Sequence, residues 1–402
     1  MKVLAAPLTY ILQDMYGSES YWLYKIMDSL SVFNVNFISL TMYVELYHKL
    51  NNVRIIELDK NGNEAPFNKL KFMYKCLKVA SKILREEHID IIHHFLIGYE
   101  QGFNLLPILG YTRNVPFIIG PAQPPQTYVS NDESGLSPGA RASYLKSSKL
   151  SHFLSNTSLS LSTPILHKLF QKTLTECDTL ITVNEHAKDL YSKYINPKKI
   201  KVIPPGVDID KFKYFPQSTN NTSLEILTVG YLVKRKGIEY LIRAMPMILS
   251  EFPDVKLRII GDGPQRLYLE KLTEKLEIKN NVIFQGLVPH PQIEKFYEKS
   301  DIFCLPSLSE GSPTVLREAM ACGKPCVATN IIGSNEIVEQ GKTGFLVPIK
   351  DTSVLAESLL KLLQDEELRY KMGLEARKIA EEKYDWNVIA RQYYEIYKEL
   401  VG

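Results

Sequence analysis

Glu310 and Glu318, separated by seven residues, stand in the run SEGSPTVLREAMACG. The first reads as part of a loop above a strand's carboxyl end, the second as part of the helix that follows. In an open α/β sheet ligands bind at that place, and the free backbone N–H groups of a helix start favour anionic groups. A second run, Lys234-Arg235-Lys236, puts three adjacent cations before a helix that begins near Ile238. Cations there form an anion site, because their charge adds to that of the helix N-terminus. Taken alone, the two glutamates also read as solvated charges on an αβ repeat, and the cations as a solvated face.

Positioning these side chains takes repeated strand, loop and helix passes. Ile302–Leu305 is a short apolar strand, Ser307–Gly311 a polar loop, Ser312 an N-cap and Pro313 the first helical residue. The helix runs Thr314–Ala321 and stops at Gly323, with Pro325 beyond, and Pro325–Thr329 is the next strand. Strands at Glu225–Gly230, Val255–Ile260 and Val282–Phe284 lead to Lys234-Arg235-Lys236, to the Gly261-Asp262-Gly263-Pro264 turn and to Gln285-Gly286-Leu287-Val288. The exposed backbone of that last segment suits the edge of a flat ring.

The first half repeats the alternation. Val3–Ala6 is a strand, and Gly17-Ser18-Glu19-Ser20 opens a helix with Trp22, Leu23, Ile26, Met27 and Leu30 at helical spacing. Val35–Leu40, Val53–Leu58, Ile89–Phe95, Val115–Ile119 and Thr179–Val183 are further strands, and Leu70–Glu87 is an amphipathic helix. Gly120-Pro121-Ala122-Gln123-Pro124-Pro125 reads as an irregular loop. The alternating pattern predicts α/β domains with parallel sheets. The division is residues 1–205 and 206–384, with a final amphipathic helix within 385–402 crossing back onto the first half.

A chain of 402 residues exceeds what one core usually holds. A net charge of +3 does not suggest global nucleic-acid binding, leaving any electrostatic partner to a local patch. Such a patch lies at 134–175, which has no Asp or Glu and interleaves Arg141, Lys146, Lys149, Lys168 and Lys172 with apolar residues. It suits an anionic membrane surface or an anionic acceptor, or forms helices with solvated cationic faces. Five cysteines without metal-ligand spacing point to free thiols in a reducing compartment. The N-terminal apolar run is broken by Pro7 and Gln13-Asp14 and reads as a buried strand, not a signal peptide. No run approaches the roughly 18 apolar residues of a membrane span. These features are those expected of a cytoplasmic chain, with or without a peripheral membrane contact.

Two patterns imitate metal sites. Asp208-Ile209-Asp210 fits the DxD pattern of metal-dependent sugar transferases but follows a Pro-Pro-Gly turn near the domain junction. His93 and His94 are neighbours on a strand and point to opposite faces, which is poor ligand geometry. No metal is expected.

VGYLVKRKGIEYLI, IIGDGP, FQGLVP and SEGSPTVLREAMACGKPCVATNIIGSNEIVEQGKTGFLVP together resemble the family 4 retaining glycosyltransferases. The resemblance is dense from Leu224 to Pro348 and sparser earlier, through GSES, DIIHH and IPPGVD. It implies the GT-B architecture, two Rossmann-like domains facing across a cleft, with an N-terminal acceptor domain and a C-terminal donor domain. It also implies a retaining, metal-independent hexosyltransferase with no cofactor, whose donor is a nucleotide diphosphate sugar, a UDP-sugar ahead of GDP-mannose. The acceptor would be a glycan or lipid-linked molecule of surface polysaccharide or glycolipid synthesis.

Residue by residue, the resemblance puts Glu318 on the ribose hydroxyls and Glu310 on the donor sugar. Lys236, helped by Arg235, holds the diphosphate. Gly261 belongs to a strand-to-helix turn of the same kind, and Leu287 and Val288 lie against the base. Gly311, Ser312, Pro313 and Thr314 form the turn at the donor. Gly17 and Ser18 sit under the diphosphate from the other domain, and His93 or His94 lies near the reacting carbon. The chain departs from the family pattern at Tyr231, where a second cation is usual, at Ser18 for a glycine, and at Phe95 for a histidine. A sugar-nucleotide epimerase or hydrolase, or a catalytically silent nucleotide-binding subunit, are the alternatives on the same architecture.

Overall fold

The computed structural model describes residues 1–12, 19–45, 50–58, 69–95, 104–123, 164–214 and 224–402. Gly17 and Ser18 lie outside the described residues, as does 134–163 of the basic-apolar segment. The described residues form two units. One contains those up to Pro205 together with Trp386–Gly402, the other Gly206–Asp385.

In the first unit the strands are β1 (Lys2–Leu12), β2 (Asn36–Glu45), β3 (Val53–Glu57), β4 (Ile91–His94), β5 (Phe117–Ala122), β6 (Thr179–Thr182) and β7 (Ile200–Val202). All pair in parallel in the order β3-β2-β1-β4-β5-β6-β7. Parallel sheets are covered on both faces, so their strands are apolar on both. Val3, Ala5 and Ile91 belong to one core, and Leu4, Ala6 and Ile92 to the other. The first core also takes Trp22, Ile26 and Met27 from the helix Glu19–Ser29. It is completed by Trp386, Ile389, Ala390, Tyr393, Ile396 and Tyr397 of the helix Trp386–Val401, one stripe at helical spacing. The last helix therefore crosses back onto the first unit.

Several strands run further than their sequence predicts, β1 and β5 among them. β1 continues to Leu12 because it keeps pairing with β2 beyond a register shift that contains Pro7, whose missing N–H cannot serve the ladder. Gly120, Pro121 and Ala122 belong to β5 and not to an irregular loop. A Cβ at Gly120 would stand 2.4 Å from the Ile181 carbonyl oxygen, so only glycine lets β5 lie this close to β6.

In the second unit β8 (Glu225–Val229), β9 (Lys256–Ile260), β10 (Val282–Gly286), β11 (Ile302–Leu305), β12 (Cys326–Thr329) and β13 (Gly344–Val347) form a parallel sheet. Their order is β10-β9-β8-β11-β12-β13. The chain starts at the middle, builds outward through β9 and β10, then returns to the other side of β8 with β11. The strand order thus reverses between β8 and β11, the place at which ligands bind in an open α/β sheet. The two runs singled out by their chemistry, Lys234-Arg235-Lys236 and Ser307–Glu310, are those two loops.

All five cysteines are free and buried. Burial raises their thiols, that of Cys76 to about 12, so they are inert packing groups. Among the described residues no helix is long and apolar enough to cross a membrane.

Candidate donor site

The loop after β8 winds Lys234–Lys236 into one 3-10 turn before the helix Ile238–Glu251. Gly237 joins them in a left-handed conformation (φ 62°), and a Cβ there would lie 2.0 Å from the Pro306 carbonyl oxygen. Glycine is required on both counts. The close approach brings the loop after β11 alongside, and the Leu308 N–H donates to the Arg235 carbonyl at 2.6 Å. Two loops distant in sequence are thereby fixed against each other at the switch point.

Their side chains then meet. Lys236 Nζ is 2.5 Å from Glu310 Oε1, and Arg235 Nη1 is 3.4 Å from Glu310 Oε2. The Ser307 hydroxyl also donates to Glu310 Oε1 at 2.7 Å. Ser307 is itself held by the Thr329 hydroxyl at the end of β12, which donates to its carbonyl. The Glu310 side chain is 8% exposed. Burial alone would raise its carboxyl, but Lys236, Arg235 and the Ser307 hydrogen bond together hold it below the ordinary carboxylate value. The cluster is an ionised carboxylate beside two cations. It can stabilise both ends of a bond that breaks into a cationic and an anionic fragment.

Glu318 stands in the helix Thr314–Ala321 with its side chain 4% exposed. His290 Nε2 is 2.8 Å from Glu318 Oε1, and the Tyr297 hydroxyl donates to Oε2 at 2.8 Å. Burial pushes this carboxyl up as well, and the attraction and hydrogen bond of the His290 ring, the Tyr297 hydrogen bond and the Lys211 charge bring it below the usual range. Burial and the Glu318 charge push the Tyr297 phenol well above its ordinary value, which keeps it a donor.

The start of that helix differs from expectation. Ser312 is not its N-cap: helical geometry begins at Thr314, and Pro313 occupies the cap position without a side-chain bond. The Ser312 hydroxyl instead accepts from Arg317 Nη2 at 2.6 Å. Arg317 is 1% exposed, and its strong, buried donor outcompetes the backbone N–H groups for that oxygen. Gly311 packs its carbonyl oxygen 2.7 Å from where a Cβ of Gly333 would stand.

Gly261 makes a close approach of another kind. Its N–H donates to the Gly286 carbonyl at 2.8 Å, and a Cβ would lie 1.9 Å from the Gly230 carbonyl oxygen. Leu287 is 52% exposed beyond β10, whereas Val288 packs against the core that includes Tyr297. Asp208 caps a turn, accepting from the Lys211 N–H at 3.1 Å. Among the described residues no group of three His, Cys, Asp or Glu side chains could hold a metal ion.

The two histidines of β4 belong to the first unit, on opposite faces of its sheet. His93 is fully buried, with Nδ1 2.6 Å from the Tyr397 hydroxyl and Nε2 3.0 Å from the Gly120 carbonyl oxygen. The assignment of His93 to the reacting carbon is therefore corrected. Both ring nitrogens are committed inside the unit, where the residue anchors the last helix. Burial lowers its imidazole to about 3, so it stays neutral. His94 is 3% exposed and stacks on Phe117 at 6.5 Å. Of the described part of the basic-apolar segment, Phe170 and Leu174 are buried in the core and Lys168 and Lys172 are exposed.

Sequence reasoning missed Lys211, His290, Tyr297, Ser307, Thr329 and Arg317. A pointer existed for His290, which follows Val288 by two residues in the same loop.

With this geometry in place, comparison with known proteins is decisive. The family description "Glycosyltransferase Family 4" matches residues 51–211, and "Glycosyl transferases group 1" matches residues 210–379. The chain belongs to the family 4 glycosyltransferases. An uncharacterised glycosyltransferase of Methanocaldococcus jannaschii is 34% identical over 253 residues, 59% of this chain and 65% of that protein. The N-acetyl-alpha-D-glucosaminyl L-malate synthase of Bacillus anthracis is 29% identical over 250 residues, 60% of this chain and 64% of that protein. Both matches thus span less than two thirds of the relative's own length. Anabaena HepE in its complex with UDP-glucose superposes with a TM-score of 0.66 at 19% identity, covering 99% of this chain and 100% of that one. The fold of this family 4 member is GT-B, with two Rossmann-like parallel-sheet units.

Proposed function

We propose that this protein is a retaining, metal-independent glycosyltransferase. It would move a sugar from a nucleotide diphosphate sugar, a UDP-sugar ahead of a GDP-sugar, to a glycan or lipid-linked acceptor in surface polysaccharide or glycolipid synthesis. The observation that carries this reading is the contact of Glu310 with Lys236 at 2.5 Å, between the two loops of the switch point. A sugar–phosphate bond breaks into an oxocarbenium-like sugar and a diphosphate. Glu310 stabilises the first, while Lys236 and Arg235 neutralise the second without needing a metal's charge.

In this reaction the bond from the sugar's anomeric carbon to the phosphate oxygen breaks, and the diphosphate keeps the electron pair. An acceptor hydroxyl attacks on the same side and passes its proton to the departing phosphate. Glu318 binds the ribose hydroxyls, Leu287 and Val288 flank the base, and the Gly311-Ser312-Pro313-Thr314 turn faces the donor. HepE's complex with UDP-glucose supports UDP as the nucleotide. The name of the Bacillus anthracis relative, with its N-acetylglucosaminyl group, supports a hexose-type sugar. Lys168 and Lys172, exposed on the helix Pro164–Thr175, are available to an anionic acceptor or membrane surface.

Calorimetry with UDP, GDP and their sugar conjugates tests the donor assignment. UDP binding that Glu318→Ala weakens by about 10-fold or more is expected. Glu318→Ala binding as tightly as wild type would remove the ribose role. The anomeric configuration of the product, followed by NMR from first turnover, tests retention; inversion would overturn it.

A further inference from the structure

Behind Glu318 stands a line of contacts that the reading above leaves unused. Lys211 Nζ is 2.6 Å from His290 Nδ1 and 3.0 Å from the His290 carbonyl oxygen. His290 in turn reaches Glu318 Oε1 through Nε2 at 2.8 Å. An ammonium group carries donors only, so the ring nitrogen facing it must accept. The proton of the neutral imidazole then sits on Nε2, directed at the carboxylate. The arrangement is braced from several sides. Asp208 caps the turn that presents Lys211. The Phe212 ring meets the His290 ring edge-on at 5.5 Å, and it lies 5.2 Å from Lys211 Nζ.

Among the described residues this carboxylate has one donor on each oxygen, His290 on Oε1 and Tyr297 on Oε2. A carboxylate has about four acceptor positions, so each oxygen keeps a second one in a direction set by the first. Two acceptor positions on adjacent oxygens match a pair of vicinal hydroxyls.

We propose that Lys211 and His290 are positioning residues of the nucleoside subsite. Lys211 sets the tautomer of His290, and His290 with Tyr297 aims the remaining acceptor positions of Glu318 at the two hydroxyls of a ribose. This rests on the assignment of Glu318 to the ribose.

The test is calorimetry on the full chain with UDP and 2′-deoxy-UDP, and with GDP and 2′-deoxy-GDP, comparing the ratio of the two affinities. Wild type is expected to prefer the ribose form, and Glu318→Ala to lose that preference. His290→Leu should lose it too and bind UDP about 10-fold more weakly, the scale of one charge-assisted hydrogen bond. His290→Gln, whose amide N–H replaces Nε2 and whose oxygen can accept from Lys211, should restore the wild-type ratio. Lys211→Met, which keeps the stem and removes the donor, should reduce the ratio.

His290→Asn covers the case in which His290→Leu does not fold. Its shorter amide meets Lys211 without reaching Glu318, and it should behave like His290→Leu. A wild-type ratio in His290→Leu or His290→Asn, alongside a lost ratio in Glu318→Ala, overturns the proposal and leaves the ribose assignment standing. No ribose preference in wild type, or an undiminished one in Glu318→Ala, removes the assignment and the proposal with it.

Discussion

Lys236 Nζ and Glu310 Oε1 are 2.5 Å apart, although the two residues are separated by 74 positions in the chain. What joins them is topology. The strand order reverses between β8 and β11, and Gly237 lets one loop rest on the Pro306 carbonyl of the other. The pair keeps a nearly buried carboxylate ionised, which is the state in which it can stabilise a cationic sugar.

Removing the cation should therefore damage the chemistry, and it also leaves Glu310 buried with only the more distant Arg235 beside it. Lys236→Ala is expected to lower turnover about 100-fold or more, the scale of losing a preorganised charge on a leaving group. Nucleoside diphosphate release from a sugar nucleotide measures this. Wild-type kinetics would remove Lys236 from the diphosphate.

His93 gives a pH signature. Its folded imidazole is held near 3, against an ordinary value of 6.5. Between those values the unfolded chain binds a proton that the folded chain does not. The stability it contributes is complete above pH 6.5 and is lost as pH falls toward 3, by about 1.4 kcal/mol per unit for one group. Both tryptophans of the chain, Trp22 and Trp386, lie in the core beside it, so their fluorescence follows this unit. In urea titrations from pH 7 to pH 5, His93→Gln should show a shallower decline than wild type. An equally steep decline would contradict the account.

Arg317 is buried against the Tyr384 ring at 5.0 Å with its guanidinium on Ser312, and burial lowers it to about 10. Arg317→Met keeps much of the stem and discards a desolvated charge, so it should change stability by less than about 2 kcal/mol. It frees Ser312, however, and should weaken donor affinity by about 5-fold, the worth of one hydrogen bond. Donor affinity at the wild-type level would show that the Ser312 turn needs no such support.

The parts legible in the sequence were those encoded locally. Alternating strand and helix patterns predicted two parallel α/β units, and the final helix kept an apolar stripe that announced its packing. Glu310, Glu318 and the three cations stood out because each lies near a strand end or a helix start. What escaped was built from distant partners. Lys211 and His290 are 79 positions apart, and nothing periodic links them. The strand pattern showed that His93 and His94 face opposite ways, but the group that buries His93 is Tyr397, 304 positions later. Ser312 had the composition of an N-cap, and only the packed structure reveals the arginine competing for its hydroxyl.

The central claim, sugar transfer at the Glu310–Lys236 cluster, is tested most directly by a donor screen. The protein is incubated with UDP- and GDP-sugars and candidate glycan and lipid acceptors, with and without EDTA, and free nucleoside diphosphate is measured. The account predicts release from at least one UDP-sugar, unchanged by EDTA and lowered about 100-fold or more in both Glu310→Gln and Lys236→Ala. Release at the wild-type rate in Glu310→Gln and Lys236→Ala, or none from any sugar nucleotide, would contradict it.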